Sequence, residues 1–151
     1  VAVPDLSGGP EVIDEAMARV PTAAAGRALR TAILATDASE RYACAHVSAL
    51  RAAAAVIAAR PEKIGKRRSL NAWVLLRRVA PELEEWATFF AGGAQKRAAA
   101  EAGASNAVTE READDLVREA DRFLAVVERS LGLLAHVPWE QQLAWRPSCS
   151  A

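Results

Sequence analysis

The chain has 151 residues, of which 52% are hydrophobic and only 5% aromatic, and its 19 basic and 19 acidic side chains give a formal net charge of zero. The balanced charge excludes a protein whose whole surface is basic for binding nucleic acid or anionic membrane. A chain of this length folds as one domain that buries about 70% of its unfolded surface, so it needs neither a disulfide nor a metal for stability.

The first residues predict a loose start followed by helices. Residues 1–9 contain one proline and two glycines and are predicted to be a flexible leader before a single bundle domain at residues 10–135. Pro10 suits the first turn of a helix, and apolar residues follow at helical spacing until Pro21 interrupts them. A second helix is predicted over residues 22–35, either separate from the first or continuous with it through a kink.

The next helix has the clearest pattern in the first half of the chain. Asp37 and Glu40 have the spacing of a capping box, and neither Gly nor Pro follows before Arg60 ends the segment. Its apolar stripe has steps of three and four residues and comprises Tyr42, His46, Ala49, Leu50, Ala53, Val56 and Ile57. His46 is therefore predicted to lie on the buried face.

The middle of the chain alternates between loop and helix signals. Residues 61–69, PEKIGKRRS, combine breakers with four basic side chains and predict a loop. Ser69 is predicted to cap a helix that Pro81 ends or kinks, after which another helical segment begins. Gly92 and Gly93 interrupt that helix, which predicts either a break or the close approach of another backbone.

The last long helix opens with a capping box of Thr109 and Glu112, and its apolar stripe continues to Leu134. Residues 136–151 are aromatic and contain proline, so we expect an irregular C-terminal tail. No segment alternates like a strand. The sequence therefore predicts an all-α, up-and-down bundle of four to five helices in which neighbouring helices are antiparallel.

Two histidines and two cysteines without metal-type spacing predict no metal site, and the lack of a glycine-rich phosphate loop predicts no cofactor. The start of the sequence does not have the pattern of a signal peptide, and no uncharged apolar run reaches 18 residues. We therefore expect a reduced, cytoplasmic protein with no membrane contact.

The segment RYACAHVSALRAAAAV, at residues 41–56, resembles the small-residue second helix of HEPN domains, and the stretch WVLLRRVAPELEEWATFFAGGAQKRAAAEAG, at 73–103, continues the similarity. The likeness covers residues 22–134 and is closest to an uncharacterised actinobacterial HEPN subfamily. It implies a helical homodimer. In the ribonuclease members of the family, an Arg and a His of an R-x4-6-H motif face a composite cleft and cleave RNA without a metal.

Arg41 and His46 match that spacing. The resemblance implies that Arg41 would stabilise the charge on the scissile phosphate and that His46 would transfer a proton. Five residues at about 100° each place the two side chains about 140° apart around a regular helix, so Arg41 must reach round or a partner chain must complete the cleft. The alternatives are a buried His46 that donates to a carbonyl, and an exposed Arg41 that pairs with Asp37 or Glu40.

Two other features are candidates for binding. Positive charge is concentrated on the 61–69 loop and the following helix, and it either binds the phosphates of RNA or a nucleotide or only adds solubility. The cations concerned are Lys63, Lys66, Arg67, Arg68, Arg77 and Arg78. The tail carries Trp139, Leu143 and Trp145, which either pack onto the bundle or bind a protein partner.

Three hypotheses for function follow from these features. The first is a regulatory or binding HEPN-like dimer that contacts RNA, a nucleotide or a protein through the dimer groove and the basic loop. The second is a metal-independent endoribonuclease that uses Arg41 and His46. The third is an interaction scaffold that recruits a partner through its tail.

Overall fold

The structure, a computed structural model, describes residues 10–66, 71–104 and 106–144, with side chains in the first helix from Arg19 onward. Within these ranges all regular secondary structure is helical, which confirms the predicted fold class. The helices are α1 (Pro10–Leu34), α2 (Ala38–Ala59), α3 (Ala72–Val79), α4 (Glu84–Gly92), α5 (Ala94–Glu101), α6 (Glu110–Ser130) and α7 (Trp139–Ala144). The leader predicted for residues 1–9 lies outside the described residues.

Helix α1 is continuous, so the prediction of a separate first helix ending at Pro21 was wrong and its continuous alternative was right. Proline removes one hydrogen bond from the helix interior. The second half of α1 offsets that loss by packing against α2, where Ala25, Leu29 and Ala32 are buried. Tertiary packing therefore decides the length of this helix.

Helix α2 is the central element of the bundle. Asp37 caps it by accepting a hydrogen bond from the backbone N–H of Glu40 at 2.9 Å. Its length and mean hydropathy would allow it to cross a membrane, but α1, α3, α5 and α6 all pack against it. The closest packing uses alanines with no exposed surface: Ala45, Ala49, Ala52, Ala53 and Ala55. Small side chains let the neighbouring helices come close to the α2 backbone.

The direction of the helices follows from contacts at both ends of α2. Arg41, near the start of α2, bonds to Glu110 and Asp114 near the start of α6, while Arg60, just after α2, lies 3.4 Å from the hydroxyl of Ser130 at the end of α6. Helices α2 and α6 therefore run parallel. The chain returns between them through α3, α4 and α5, which gives the expected up-and-down order with three short helices in place of one or two longer ones.

That returning segment is shaped by its caps and by one glycine. Asn71, and not the predicted Ser69, caps α3 by accepting from the N–H of Val74 at 2.9 Å. Gly93 separates α4 from α5. A Cβ atom at Gly93 would lie 2.8 Å from the hydroxyl oxygen of Tyr42. The predicted break is therefore present, whereas the close neighbour of Gly93 is a side-chain hydroxyl and not the predicted backbone of another helix.

Aromatic side chains fill the centre of the bundle. The ring centroids of Trp73 and Phe90 lie 5.3 Å apart, and those of Phe90 and Phe123 lie 5.2 Å apart. Trp86 stacks on Phe123 at 5.3 Å. These rings come from α3, α4 and α6, so the cluster joins two of the three short helices to the last long one.

The C-terminal segment differs from the irregular tail that was predicted, because Trp139–Ala144 form the short helix α7. The preceding Pro138 suits the entry to a helix, and its carbonyl accepts a hydrogen bond from the N–H of Gln141 at 2.9 Å. The backbone N–H of Trp139 donates to Asp121 at 2.9 Å. Packing onto α6 thus converts this part of the tail into an ordered element.

We predict that Gly93→Ala lowers the free energy of unfolding by about 1–3 kcal/mol, since the new methyl group would overlap the Tyr42 hydroxyl. Gly92→Ala is the matched control, because nothing lies within 4 Å of its Cβ position. Urea unfolding measures both variants. In a Tyr42→Phe background the cost of Gly93→Ala should shrink; an unchanged cost would show that the hydroxyl is not the cause.

Candidate functional site

His46 lies inside the bundle with 1% of its surface exposed, as its place on the apolar stripe predicts. Its Nε2 atom is 3.0 Å from the carbonyl oxygen of Phe90, so this nitrogen carries the proton and donates it. The ring meets Trp73 edge-on at a centroid distance of 5.8 Å. Its Nδ1 atom is buried and has no hydrogen-bond partner in the described structure.

Burial determines the charge state of this ring. Desolvation lowers the pKa of His46 below its ordinary value, because the charged imidazolium would lose its hydration. The ring is therefore neutral at physiological pH. In this conformation no substrate reaches it, and its bond to Phe90 ties α2 to α4.

Arg41 has different partners from those predicted. Its Nη1 atom lies 2.8 Å from Glu110 and 2.7 Å from Asp114, while Nε and Nη2 donate to the carbonyl of Ala35 at 3.2 and 3.0 Å. Asp37 serves as the cap of α2 and does not pair with Arg41. The guanidinium thus joins the end of α1 and the starts of α2 and α6.

The structure does not bring Arg41 and His46 to one site. Arg41 points to the acidic start of α6, whereas His46 points to Phe90 in the core. This agrees with the angular separation expected from their spacing on a helix. Their joint catalytic role stays a prediction, and within this chain the described residues form no cleft between them.

A group of cations lies at the other end of α2, and we call Lys63, Lys66 and Arg78 the basic end. Lys63 and Lys66 are exposed, and Arg78 donates to the carbonyl of Ile64 at 3.1 Å. Gly65 has φ +67° and makes the turn between the two lysines. Arg78 therefore holds the loop against α3.

The other predicted cations are less directly available. Arg77 donates to the hydroxyl of Thr88 at 3.1 Å, and its Nε atom is buried without a partner. It packs between α3 and α4 instead of facing solvent freely. Arg67 and Arg68 lie outside the described residues.

The predicted partner-binding residues differ in how exposed their side chains are. Trp139 is partly buried, whereas Leu143 is 68% exposed. Trp145 lies outside the described residues. Of the three, Leu143 is the side chain that the structure leaves open to a partner.

Sequence reasoning missed the environment of His136. Its Nε2 atom lies 2.6 Å from Asp121, and its Nδ1 atom contacts Glu128. Burial by itself would lower the pKa of His136, but the hydrogen bonds and charges of Glu128 and Asp121 raise it above the ordinary value. The protonated ring holds the segment before α7 on α6.

A signal for His136 was present in the sequence, because Arg129 and His136 are separated by six residues and match the same R-x4-6-H spacing. Arg129 is exposed, and its Nε donates to the carbonyl of Ala125 at 3.4 Å. Both nitrogens of the His136 ring are taken by carboxylates. In this arrangement His136 has a structural role, because it holds the segment before α7 against α6.

Metal chemistry has no candidate site in the described part of the chain, where no group of three or more His, Cys, Asp or Glu side chains is placed to hold an ion.

Comparison with known proteins gave one match. A family model described as HEPN_SAV_6107-like HEPN matches residues 32–128, which is well over half of the chain. The match covers α2 to α5 and nearly all of α6. Neither the curated proteins nor the solved structures gave a match.

We predict that His46 makes the protein less stable in mild acid. An unfolded histidine has a pKa of about 6.5, and that of folded His46 is lower. Its contribution is therefore complete above pH 6.5 and is lost as the pH falls through the folded pKa. Urea unfolding between pH 7 and pH 5 should show falling stability, and His46→Gln should flatten that slope. An unchanged slope would contradict the assignment.

His136 provides the matched comparison with the opposite sign. Because its pKa is raised on folding, its contribution is complete below pH 6.5 and is lost as the pH rises through the folded value. His136→Gln should therefore destabilise the protein more at pH 6 than at pH 9. NMR titration of the two rings measures the two pKa values directly.

Proposed function

Because the chain belongs to the HEPN family, we propose that it is a non-catalytic HEPN domain that acts as a homodimer and binds RNA through the phosphates of its backbone. The basic end supplies the cations for this contact. Arg67 and Arg68 follow Lys66 in the sequence and lie outside the described residues.

The observation that carries the proposal is the burial of His46. Proton transfer to or from a ribose oxygen requires a ring nitrogen within hydrogen-bond reach of that oxygen. Here the ring is 1% exposed, and Nε2 is bonded to Phe90. Bringing His46 to the surface would break this bond and leave the Phe90 carbonyl with one partner fewer, in addition to opening the aromatic cluster. Binding without cleavage is therefore the activity that this arrangement favours.

The charges at the basic end support the contact with phosphate. Lys63, Lys66 and Arg78 form no ion pair with a carboxylate among the described residues, whereas Arg41 and Arg60 do. Lys63 is close enough to Glu82 to contribute to the lowering of its pKa, so Lys66 and Arg78 keep more of their attraction for a phosphate. The hydrogen bond from Arg78 to the Ile64 carbonyl restrains the loop before binding, which reduces the conformational entropy that the loop loses on binding.

The endoribonuclease hypothesis remains as the alternative and depends on a partner chain or a rearranged α2. Recruitment through the tail is less favoured, because His136 and Trp139 hold the start of that segment on α6. What remains for a partner in the described tail is the exposed Leu143.

The basic end is tested with a single-stranded RNA in EDTA. We expect Lys63→Ala/Lys66→Ala to reduce the slope of log affinity against log salt by about 1.4, since each phosphate contact in a single strand contributes about 0.7. Arg27→Ala/Arg30→Ala is the control, because it removes the same charge from exposed positions on α1. Equal losses in the two variants would mean nonspecific attraction. Cleavage of the RNA by the wild type, abolished by His46→Ala, would replace the binding role with the ribonuclease role.

The homodimer is tested by light scattering after size exclusion. We expect a mass of about twice the 16.1 kDa of one chain. Exposed large apolar side chains such as Leu34 and Leu134, at 80% and 96% exposure, are candidates for the contact. A single species at the mass of one chain would rule out the dimer without affecting the RNA test.

A further inference from the structure

One carboxylate lies among the cations that surround the end of α2. Glu82 belongs to the short 3₁₀ turn Pro81–Leu83, which connects α3 to α4. Its Oε1 atom lies 2.6 Å from Nη1 of Arg60, and its side chain is 52% exposed. This carboxylate is therefore open to solvent while it occupies a cation beside the basic end.

The guanidinium of Arg60 is positioned by other contacts as well as by Glu82. Its Nη1 atom also donates to the carbonyl of Val79 at 3.1 Å, and its Nη2 atom lies 3.4 Å from the hydroxyl of Ser130. A guanidinium has five N–H donors, so another acceptor can bind to Arg60 without breaking either contact. If Glu82 moved into solvent, Arg60 would remain in place as a donor.

Lys63 acts on the same carboxylate. Its backbone N–H donates to the carbonyl of Arg60 at 3.1 Å, so the two cations are one turn apart. Burial by itself would raise the pKa of Glu82, but the hydrogen bond and charge of Arg60 and the charge of Lys63 lower it below the ordinary value. Glu82 thus offsets positive charge that would otherwise attract a phosphate.

The charge of an incoming group determines whether it can displace Glu82 from Arg60. An internal phosphodiester of RNA carries one negative charge, as the Glu82 carboxylate does, so the exchange gains little. A phosphate monoester carries about −1.5 to −2 charges at pH 7 and has three strong acceptor oxygens. Arginine binds such oxygens through two parallel N–H donors. A terminal phosphate is therefore the stronger competitor.

We propose that the basic end recognises a terminal phosphate of RNA, because Glu82 withholds Arg60 from internal phosphodiesters and releases it to a phosphate monoester. The monoester binds to Arg60 and Lys63, while Lys66 and Arg78 contact phosphates of the adjoining backbone. Glu82 is the specificity-determining residue of this contact. The inference rests on the proposed RNA contact.

The test compares a short single-stranded RNA in three forms: with hydroxyls at both ends, with a 5′-phosphate and with a 3′-phosphate. Each form competes with a fluorescent RNA for the full chain in EDTA. At least one phosphorylated form should bind about fivefold more tightly than the hydroxyl form, which corresponds to about 1 kcal/mol. Equal affinity for the three forms would overturn this inference and leave the RNA contact intact, whereas no binding of any form would overturn the proposed function.

Glu82→Gln removes the competing charge. The hydroxyl form should now bind more tightly, with its slope of log affinity against log salt steeper by about 0.7, because one more phosphate is contacted. The preference for a terminal phosphate should shrink. Glu62→Gln is the matched control, since it removes one exposed carboxylate from the neighbouring turn Pro61–Lys63. Equal changes in the two variants would show a general effect of charge and contradict the role of Glu82.

Arg60→Gln tests the cation that Glu82 occupies. The preference for a terminal phosphate should be lost, and adding Glu82→Gln should then change the affinity no more than Glu62→Gln does. A preference that survives in Arg60→Gln would place the monoester elsewhere. If loss of the bond to Val79 unfolds this variant, Glu82→Gln and its control still decide the question.

Inorganic phosphate tests the site without RNA. It is titrated into the ¹⁵N-labelled wild type and Glu82→Gln, and the side-chain N–H signal of Arg60 is followed. Phosphate should shift this signal in both proteins and bind about fivefold more tightly to Glu82→Gln, again about 1 kcal/mol. No shift in either protein, or equal affinity in both, would contradict competition between Glu82 and phosphate for Arg60.

Discussion

The hydrogen bond from the His46 ring to the Phe90 carbonyl connects the central helix α2 to α4, in the segment of short helices that returns between α2 and α6. Phe90 also accepts from the N–H of Gly93, so the same carbonyl marks the end of α4. The aromatic cluster packs around this point, since His46 contacts Trp73 and Phe90 edge-on. A histidine that performs this structural task has to be neutral and dry. Both conditions oppose its use as an exposed acid or base.

Strong local signals were interpreted correctly from the sequence, whereas weaker local ones, such as the cap of α3 and the end of a helix at Pro21, and all long-range partners were not. The apolar stripe of α2 predicted the burial of His46, and the capping box of Thr109 and Glu112 is present at the start of α6. Arg41 was assigned to Asp37 or Glu40, four residues and one residue away, whereas its carboxylate partners lie 69 and 73 residues further along the chain. Helical periodicity determines which face a side chain occupies, but it does not reveal which distant helix meets that face.

Charge is distributed unevenly along a chain whose formal net charge is zero. Cations without a direct ion pair to a described carboxylate stand at the basic end, whereas Arg41 and Arg118 near the start of α6 are each paired with two carboxylates. Sequence composition averages these regions and hides the difference. The two ends of the bundle therefore differ in how far their cations are already neutralised, and an anionic polymer would be attracted more strongly to the basic end.

Arg41 near the start of α2 and Arg60 just after its end also restrict the sliding of α6 along α2. Arg41 joins the start of α2 to the start of α6, while Arg60 joins the end of α2 to Glu82 and lies beside Ser130. Sliding α6 by one helical turn would displace it by about 5.4 Å and break the contacts at both ends together. The contacts at the two ends of α2 therefore both oppose shear between these parallel helices.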